Sequence, residues 1–324
     1  MTVPALTDLA PALRDWLRQT LGTSTPLTTE RLPSRSNNRS YRIRKCDQSF
    51  VLKLIHPQRE RAIAHELAIL PYLRDHHFPV PAVLAIGRGL TDVPETAVLR
   101  SHLAGLPASE RFTALSTAAR ADMLAAMGTL LARVHALPLA EVRPFWQFPE
   151  DTVREPMDWA TNFVQKKIAS DLGVLIPSGA LPEDIAAQIG DLLPRWARTL
   201  AETPVMLAPL HGDFYLDNVL VADNGAIAGL LDWEAARLGD PLWELARTQT
   251  ASFGDAPTEY AHFLAAYSQH IPLAIDEGRM VQYRFLMAMG DLRYAVRHAP
   301  DVIPERAARL TRLWRQLMET PGWS

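Results

Sequence analysis

The hydrophobic pattern of this chain differs between its two parts, and that contrast limits the fold more than any single residue does. Before about residue 102 apolar positions mostly alternate through short extended runs; after it they recur mostly at helical spacing. Tyr41, Ile43 and Lys45 alternate with Arg42, Arg44 and Cys46, which predicts a half-buried strand. Asp47-Gln48-Ser49 reads as a turn and Phe50-Val51-Leu52-Lys53-Leu54-Ile55 as a second strand, so the short connection predicts an antiparallel hairpin. Pro57 suits the first turn of a helix, and PQRERAIAHELAILPYLRD carries the helical pattern that follows. PAVLAIG and TAVLRSHL then read as two more strands. Ahead of all of these, Leu6, Leu9, Leu13 and Leu17 predict an amphipathic helix over 5–20.

The remainder is read as mainly helical, with patterns near 116–136, 181–203, 256–270, 276–298 and 303–319. Pro138, Pro144, Pro149 and Pro156 mark an irregular segment between 138 and 157. Only 205–234 interrupts the helices, with short apolar strands at Val219-Leu220-Val221 and from Ile227 to Leu231 around Asp223-Asn224-Gly225. The expected fold class is α+β, with a small antiparallel-sheet-plus-helix lobe over 1–102 and a larger, mainly helical lobe over 103–324.

Composition narrows the function classes. With 324 residues, 48% apolar and 21% charged, the chain has ample material for a core. A net charge of −3 leaves no basic excess for a phosphate polymer, so no nucleic-acid partner is expected. No apolar run approaches the ~20 residues a bilayer demands, so no membrane association is expected either. MTVPALTDLAPALRDW has no positive start followed by an apolar block, and Asp8 interrupts it, so no signal peptide is expected. Cys46 is the only cysteine, which excludes an intrachain disulfide and a multi-cysteine zinc site and suits a reducing, cytoplasmic setting.

The stretch LHGDFYLDNVLVADNGAIAGLLDWEAARLGD carries the chemistry. Asp213 is followed five residues on by Asn218, and after a turn and a short strand by Asp232. Oxygen donors of this kind suit Mg²⁺ held together with substrate phosphates. A carboxylate left off the metal can orient a hydroxyl and accept its proton. Any one of these residues alone reads as a cap or turn residue; the ordered triple does not. Upstream, Lys53 sits between Leu52 and Leu54 on the second hairpin strand, and Glu66 lies on the following helix. Such a lysine either faces solvent, snorkelling past its neighbours, or is paired. The chain has only four lysines (Lys45, Lys53, Lys166 and Lys167), so one in an apolar strand stands out.

On these residues the chain resembles the aminoglycoside phosphotransferase family, a branch of the protein-kinase-like superfamily that includes choline, homoserine, fructosamine and macrolide kinases. HGDFYLDN is similar to the family's catalytic-loop signature, and LLDWEAARLGDPLWELA to its metal-binding segment. RLPSRSNNRSYRI followed by FVLKL resembles its nucleotide loop and lysine strand. VLRSHLAGLP and LLARVHAL resemble its connector and the helix before the catalytic loop. The resemblance implies a bilobal protein-kinase-like fold whose N-terminal lobe binds nucleotide. It implies a kinase that moves the γ-phosphoryl group of ATP or GTP onto a hydroxyl of a small molecule, an antibiotic or a metabolite. Asp213 would be the base, Asn218 and Asp232 would hold Mg²⁺, Lys53 would bind the nucleotide phosphates and Glu66 would fix it. His211 would brace the loop, and Asp240 would anchor the segment after the metal site or cap the helix starting at Pro241.

The phosphate loop departs from the protein-kinase pattern, because no glycine lies between Gly22 and Gly87. Ser34-Arg35-Ser36-Asn37-Asn38-Arg39-Ser40 takes that place, with Ser36 and Asn38 as candidates to present amides and a hydroxyl, or as an ordinary hairpin loop. The acceptor stays open. A polycationic aminoglycoside calls for an acidic surface, and the second lobe offers Asp255, Glu259 and scattered carboxylates. A quaternary ammonium calls for aromatic walls, which Phe145, Trp146, Phe148, Trp159, Trp233 and Trp243 would supply unless they are core. Alternatives are a choline- or homoserine-type metabolic kinase, a non-catalytic nucleotide-binding protein of kinase shape, and an iron oxygenase built on His211 and Asp213 with His262, His270 or His298.

Overall fold

The structure is a computed structural model that describes residues 9–32, 38–145, 153, 155–202, 205–254 and 256–319. The chain divides into two units, Met1–Leu115 with Leu216–Ala235, and Ser116–Tyr215 with Ala236–Ser324.

Alternation gives the first unit a sheet with two unlike faces. Strands β1 (Thr28–Leu32), β2 (Arg39–Lys45), β3 (Gln48–Ile55), β4 (Val83–Gly87) and β5 (Thr96–Ser101) form an antiparallel sheet in the order β1-β2-β3-β5-β4. On one face Tyr41, Ile43, Leu52, Leu54, Ala97 and Leu99 pack with Leu9, Leu13 and Leu17, the last two from helix α1 (Pro11–Thr20). On the other, Ile55 and Val98 meet Ile63 of helix α2 (Glu60–Asp75), which a 3₁₀ turn, Pro57–Arg59, precedes. The β2–β3 turn is tighter than the expected Asp47-Gln48-Ser49. Lys45 pairs with Gln48, so Cys46 and Asp47 alone make the bend, Cys46 at φ +52°. The unit is completed by β6 (Leu106–Pro107), helix α3 (Ala108–Phe112) and a second sheet in which β6 pairs with β8 (Val219–Val221) and β8 with β9 (Ile227–Leu230).

The second unit is helical. Its elements are α4 (Thr117–His135), α5 (Leu139–Val142), α6 (Pro156–Asp158), α7 (Gln165–Ser178), α8 (Glu183–Glu202), α9 (Pro241–Thr248), α10 (Pro257–Ser268), α11 (Glu277–His298) and α12 (Ile303–Glu319). A two-stranded ribbon joins β7 (Ala208–Leu210) to β10 (Arg237–Gly239). The helical patterns predicted after residue 116 match α4, α8, α10, α11 and α12. A further helix was not legible. A π-helical turn over Trp159–Val164 runs into α7 and breaks the 3.6-residue period, and the buried face of α7 carries Asp171 between Ile168 and Leu175. That carboxylate is held by Lys167 at 2.7 Å and Arg293 at 3.1 Å.

Helices α4 and α10 cross so closely that a Cβ on Gly128 would overlap the Phe263 carbonyl oxygen. Gly128→Ala is therefore expected to destabilise the second unit by about 1–3 kcal/mol, the usual cost of overpacking; an unchanged urea midpoint would contradict this contact. No single helix among the described residues is long and apolar enough to cross a membrane.

Candidate active site

Strand periodicity decides where Lys53 points. Leu52 and Leu54 face α1, so Lys53 turns to the α2 side, as do Val98, which pairs with it, and Arg100. Glu66 belongs to the inward stripe of α2 with Ile63, Leu70 and Leu73, and is fully buried. Arg100 donates two hydrogen bonds to Glu66, at 2.6 and 3.1 Å, while Lys53 Nζ stands 3.8 Å from Glu66 Oε2. Glu66 thus engages Arg100 more closely than Lys53. Arg100 went unnoticed in the sequence because one arginine in a strand reads as an ordinary solvent-facing position.

Lys53 also donates to Asp232 Oδ1 at 3.2 Å and makes a short contact with Glu234. Burial works against the Lys53 ammonium, but Glu66, Asp232 and Glu234 outweigh it and raise its pKa above the lysine range. Burial likewise disfavours the Glu66 carboxylate, yet Arg100 and Lys53 hold its pKa below the usual value. Asp232 sits just past β9 at φ +60°, a left-handed conformation that aspartate tolerates better than most residues. Asn218, at the end of a 3₁₀ turn before β8, accepts the Leu231 N–H at 2.9 Å through its backbone carbonyl. Strand pairing therefore makes Asn218 and Asp232 neighbours. Asn38 is buried; its Oδ1 accepts the His56 N–H at 3.3 Å and its Nδ2 donates to Glu234 at 3.4 Å. Ser36 lies outside the described residues, as do Trp146, Phe148 and Asp255.

In the second unit one helix face holds the loop that carries Asp213. Glu244, Arg247 and Thr248 stand at i, i+3 and i+4 on α9. Glu244 accepts the backbone N–H groups of His211, at 2.9 Å, and Gly212. Arg247 pairs with the Asp213 carboxylate, and the Thr248 hydroxyl donates to the Phe214 carbonyl at 2.7 Å. Gly212 takes φ +81°, a conformation that suits glycine, and this lets two successive N–H groups converge on one carboxylate. His211 is buried, and its Nδ1 accepts the Asp213 N–H at 3.2 Å. The spacing of Glu244, Arg247 and Thr248 on the helix that Asp240-Pro241 starts is the sequence signal for this face.

Behind this loop His135 bridges Glu244 (Nε2, 2.9 Å) and the Tyr267 hydroxyl (Nδ1, 2.8 Å). Burial would push the Glu244 carboxyl up, but the hydrogen bond and charge of His135, with His211, hold it below its usual value of 4.5. A depressed carboxyl stabilises the fold above its unfolded pKa and loses that contribution as pH falls through the lower folded value. The difference in urea midpoint between the natural chain and Glu244→Gln should thus be full at pH 7 and shrink below about pH 4.5; a constant difference down to pH 3 would contradict it.

Asp240 performs both of its expected roles. Its Oδ1 caps α9 through the Leu242 N–H at 2.9 Å, and its Oδ2 accepts from Tyr283 (2.8 Å) and Arg279 (3.3 Å) on α11. Of the aromatic residues considered as walls, Trp159, Trp233 and Trp243 are core and Phe145 is half-buried. Trp159, Phe163, Trp243 and Tyr283 contact one another ring to ring, and Trp233 is 1% exposed. The iron-site reading of His211 and Asp213 does not survive, since among the described residues no three His, Cys, Asp or Glu side chains are grouped to hold a metal.

Comparison with known proteins agrees with this architecture. A family model described as the phosphotransferase enzyme family matches residues 28–283. Acyl-CoA dehydrogenase family member 10 of Mus musculus is 26% identical over 246 residues, which is 72% of this chain and 21% of the mouse protein. The chain thus spans about a fifth of that relative's length. The structure of the GDP and kanamycin complex of APH(2")-IIIa superposes with a TM-score of 0.72 at 15% identity, covering 94% of this chain and 98% of that one. Aminoglycoside-3'-phosphotransferase of type VIII gives 0.60 at 23% identity, over 86% and 100%. At these identities the likeness is one of fold, and the fold is kinase-like.

Proposed function

Since the chain belongs to the phosphotransferase enzyme family, we propose that it transfers the γ-phosphoryl group of ATP or GTP to a hydroxyl of a small molecule. The observation that carries this reading is the approach of Lys53, from the middle of β3, to within 3.2 Å of Asp232 at the end of β9. An ammonium and an acidic oxygen donor from such distant stretches of sequence suit a metal-nucleotide complex better than a structural ion pair, because Asp232 keeps a side chain 55% exposed.

Asn218 and Asp232 supply two hard oxygen donors beside the adjoining ends of β8 and β9, too few to enclose an ion and enough for Mg²⁺ completed by phosphate oxygens. These residues fit the metal. When bound, it supplies charge neutralisation to the phosphates during a loose, dissociative transfer. Lys53 then holds phosphate oxygens, and the Glu66–Arg100 pair keeps a carboxylate behind the ammonium. Asp213 orients the acceptor hydroxyl and takes its proton, with α9 fixing the loop so that this carboxylate needs no rearrangement. The acceptor class, antibiotic or metabolite, is part of the proposal and not of the family assignment.

A nucleotide-consumption screen tests it. Purified protein with Mg-ATP or Mg-GTP is offered aminoglycosides, macrolides, choline, homoserine and sugars. Acceptor-dependent release of nucleoside diphosphate, absent in Asp213→Asn, is the expected result. Nucleotide binding with no turnover on any acceptor would favour the non-catalytic alternative.

A further inference from the structure

Glu234 has more donors than a residue that merely follows a metal ligand requires. Its side chain is only 11% exposed, and it accepts from Lys53, from Arg59 Nη2 at 2.6 Å and from Asn38 Nδ2 at 3.4 Å. Arg59 ends the 3₁₀ turn ahead of α2, with its own side chain 41% exposed. All four residues belong to one unit, so the cluster is a property of that unit alone. Three cations (Lys53, Arg59, Arg100) face three carboxylates (Glu66, Asp232, Glu234). Arg100 and Glu66 neutralise each other through two hydrogen bonds. What remains is a pair of cations bridged by one carboxylate, beside Asp232.

A carboxylate that bridges two cations and an amide N–H₂ uses the donors that phosphate oxygens seek, charge-assisted hydrogen bonds from a lysine and an arginine. We propose that Arg59 is a second phosphate-binding cation of the nucleotide site, and that Glu234 fills the Lys53–Arg59 pair as an internal anion which the nucleotide displaces. This rests on the nucleotide reading above. The exchange conserves charge pairing: as phosphate oxygens take the two cations, the Glu234 carboxylate is released, and no bond is made or broken covalently. Glu234 thus supplies Arg59 with a carboxylate and buried Lys53 with a further one beside Asp232 and Glu66.

The test uses metal-free conditions, so that any part Glu234 plays in holding Mg²⁺ is removed. ADP, GDP and inorganic tripolyphosphate are titrated calorimetrically in EDTA into the natural chain and into Glu234→Gln, Arg59→Gln, Arg59→Lys and Lys53→Met, each checked for a folded circular-dichroism spectrum. Glu234→Gln should bind tripolyphosphate about tenfold tighter, the size of one charge-assisted hydrogen bond freed from competition. Arg59→Gln should bind it about tenfold weaker, with Arg59→Lys recovering part of the loss. Unchanged or weaker binding in Glu234→Gln, or unchanged binding in Arg59→Gln, overturns the proposal. If those two variants behave as the natural chain while Lys53→Met still loses affinity, this inference alone fails. If the natural chain binds no nucleotide with or without Mg²⁺, the reading of the site itself fails.

Discussion

Asp213→Asn should lower turnover by roughly 10²–10⁴-fold, the range that a positioned general base contributes, with Mg-nucleotide affinity close to that of the natural chain. The groups proposed to hold nucleotide and metal (Lys53, Asn218 and Asp232) all belong to the first unit, whereas Asp213 is held by α9 in the second. Asparagine keeps the volume of the side chain and loses only the proton acceptor and the charge. Asp232→Asn should behave differently and weaken Mg-nucleotide binding as well as turnover. Asparagine is the appropriate replacement there, because φ is +60° and alanine would add backbone strain of about 1–2 kcal/mol unrelated to the metal. Calorimetry and steady-state kinetics on both variants separate the roles; an equal loss of nucleotide affinity in the two would contradict the division.

The second large effect is on stability. Glu244→Ala should cost about 3–5 kcal/mol, as expected when a buried acceptor shared by several donors is removed and each donor is left unsatisfied at about 1–3 kcal/mol. Glu244 is fully buried and serves His135 and the N–H groups of His211 and Gly212, so its loss leaves several buried donors without an acceptor. Domains are stable by only about 5–15 kcal/mol, so this is a sizeable fraction of the whole. Urea unfolding of the variant should show a much lower midpoint with a similar slope. Glu244→Gln, which can still accept one N–H, should fall between the two. A loss below about 1 kcal/mol for Glu244→Ala would place this network among exposed ion pairs of little consequence.

Periodicity made the frame of both units legible. Strands β2 and β3 announce themselves by alternation, and α4, α10, α11 and α12 by helical spacing, because in each case one face is apolar and the other is not. The same rule hid what lies at charged positions within the core. Helix α7 escaped because Asp171 interrupts its buried stripe and a π-helical turn shifts the register before it. Lys53, Glu66, Asp213, Asn218 and Asp232 were identifiable as residues, since their types and spacing carry the chemistry. Their closest partners were not. Arg100 lies 34 residues from Glu66, Arg247 34 from Asp213, Glu234 181 from Lys53, and Glu244 32 from the Gly212 N–H beside Asp213, and only the packed structure brings them into contact.

The most direct test of the central claim is a calorimetric titration of Mg-ATP and Mg-GTP into the natural chain and into folded Lys53→Met. Saturable binding of at least one nucleotide, weakened about tenfold or more by the substitution, is the predicted result. Equal affinity in both proteins, or no binding of either nucleotide to the natural chain at millimolar concentration, would contradict it.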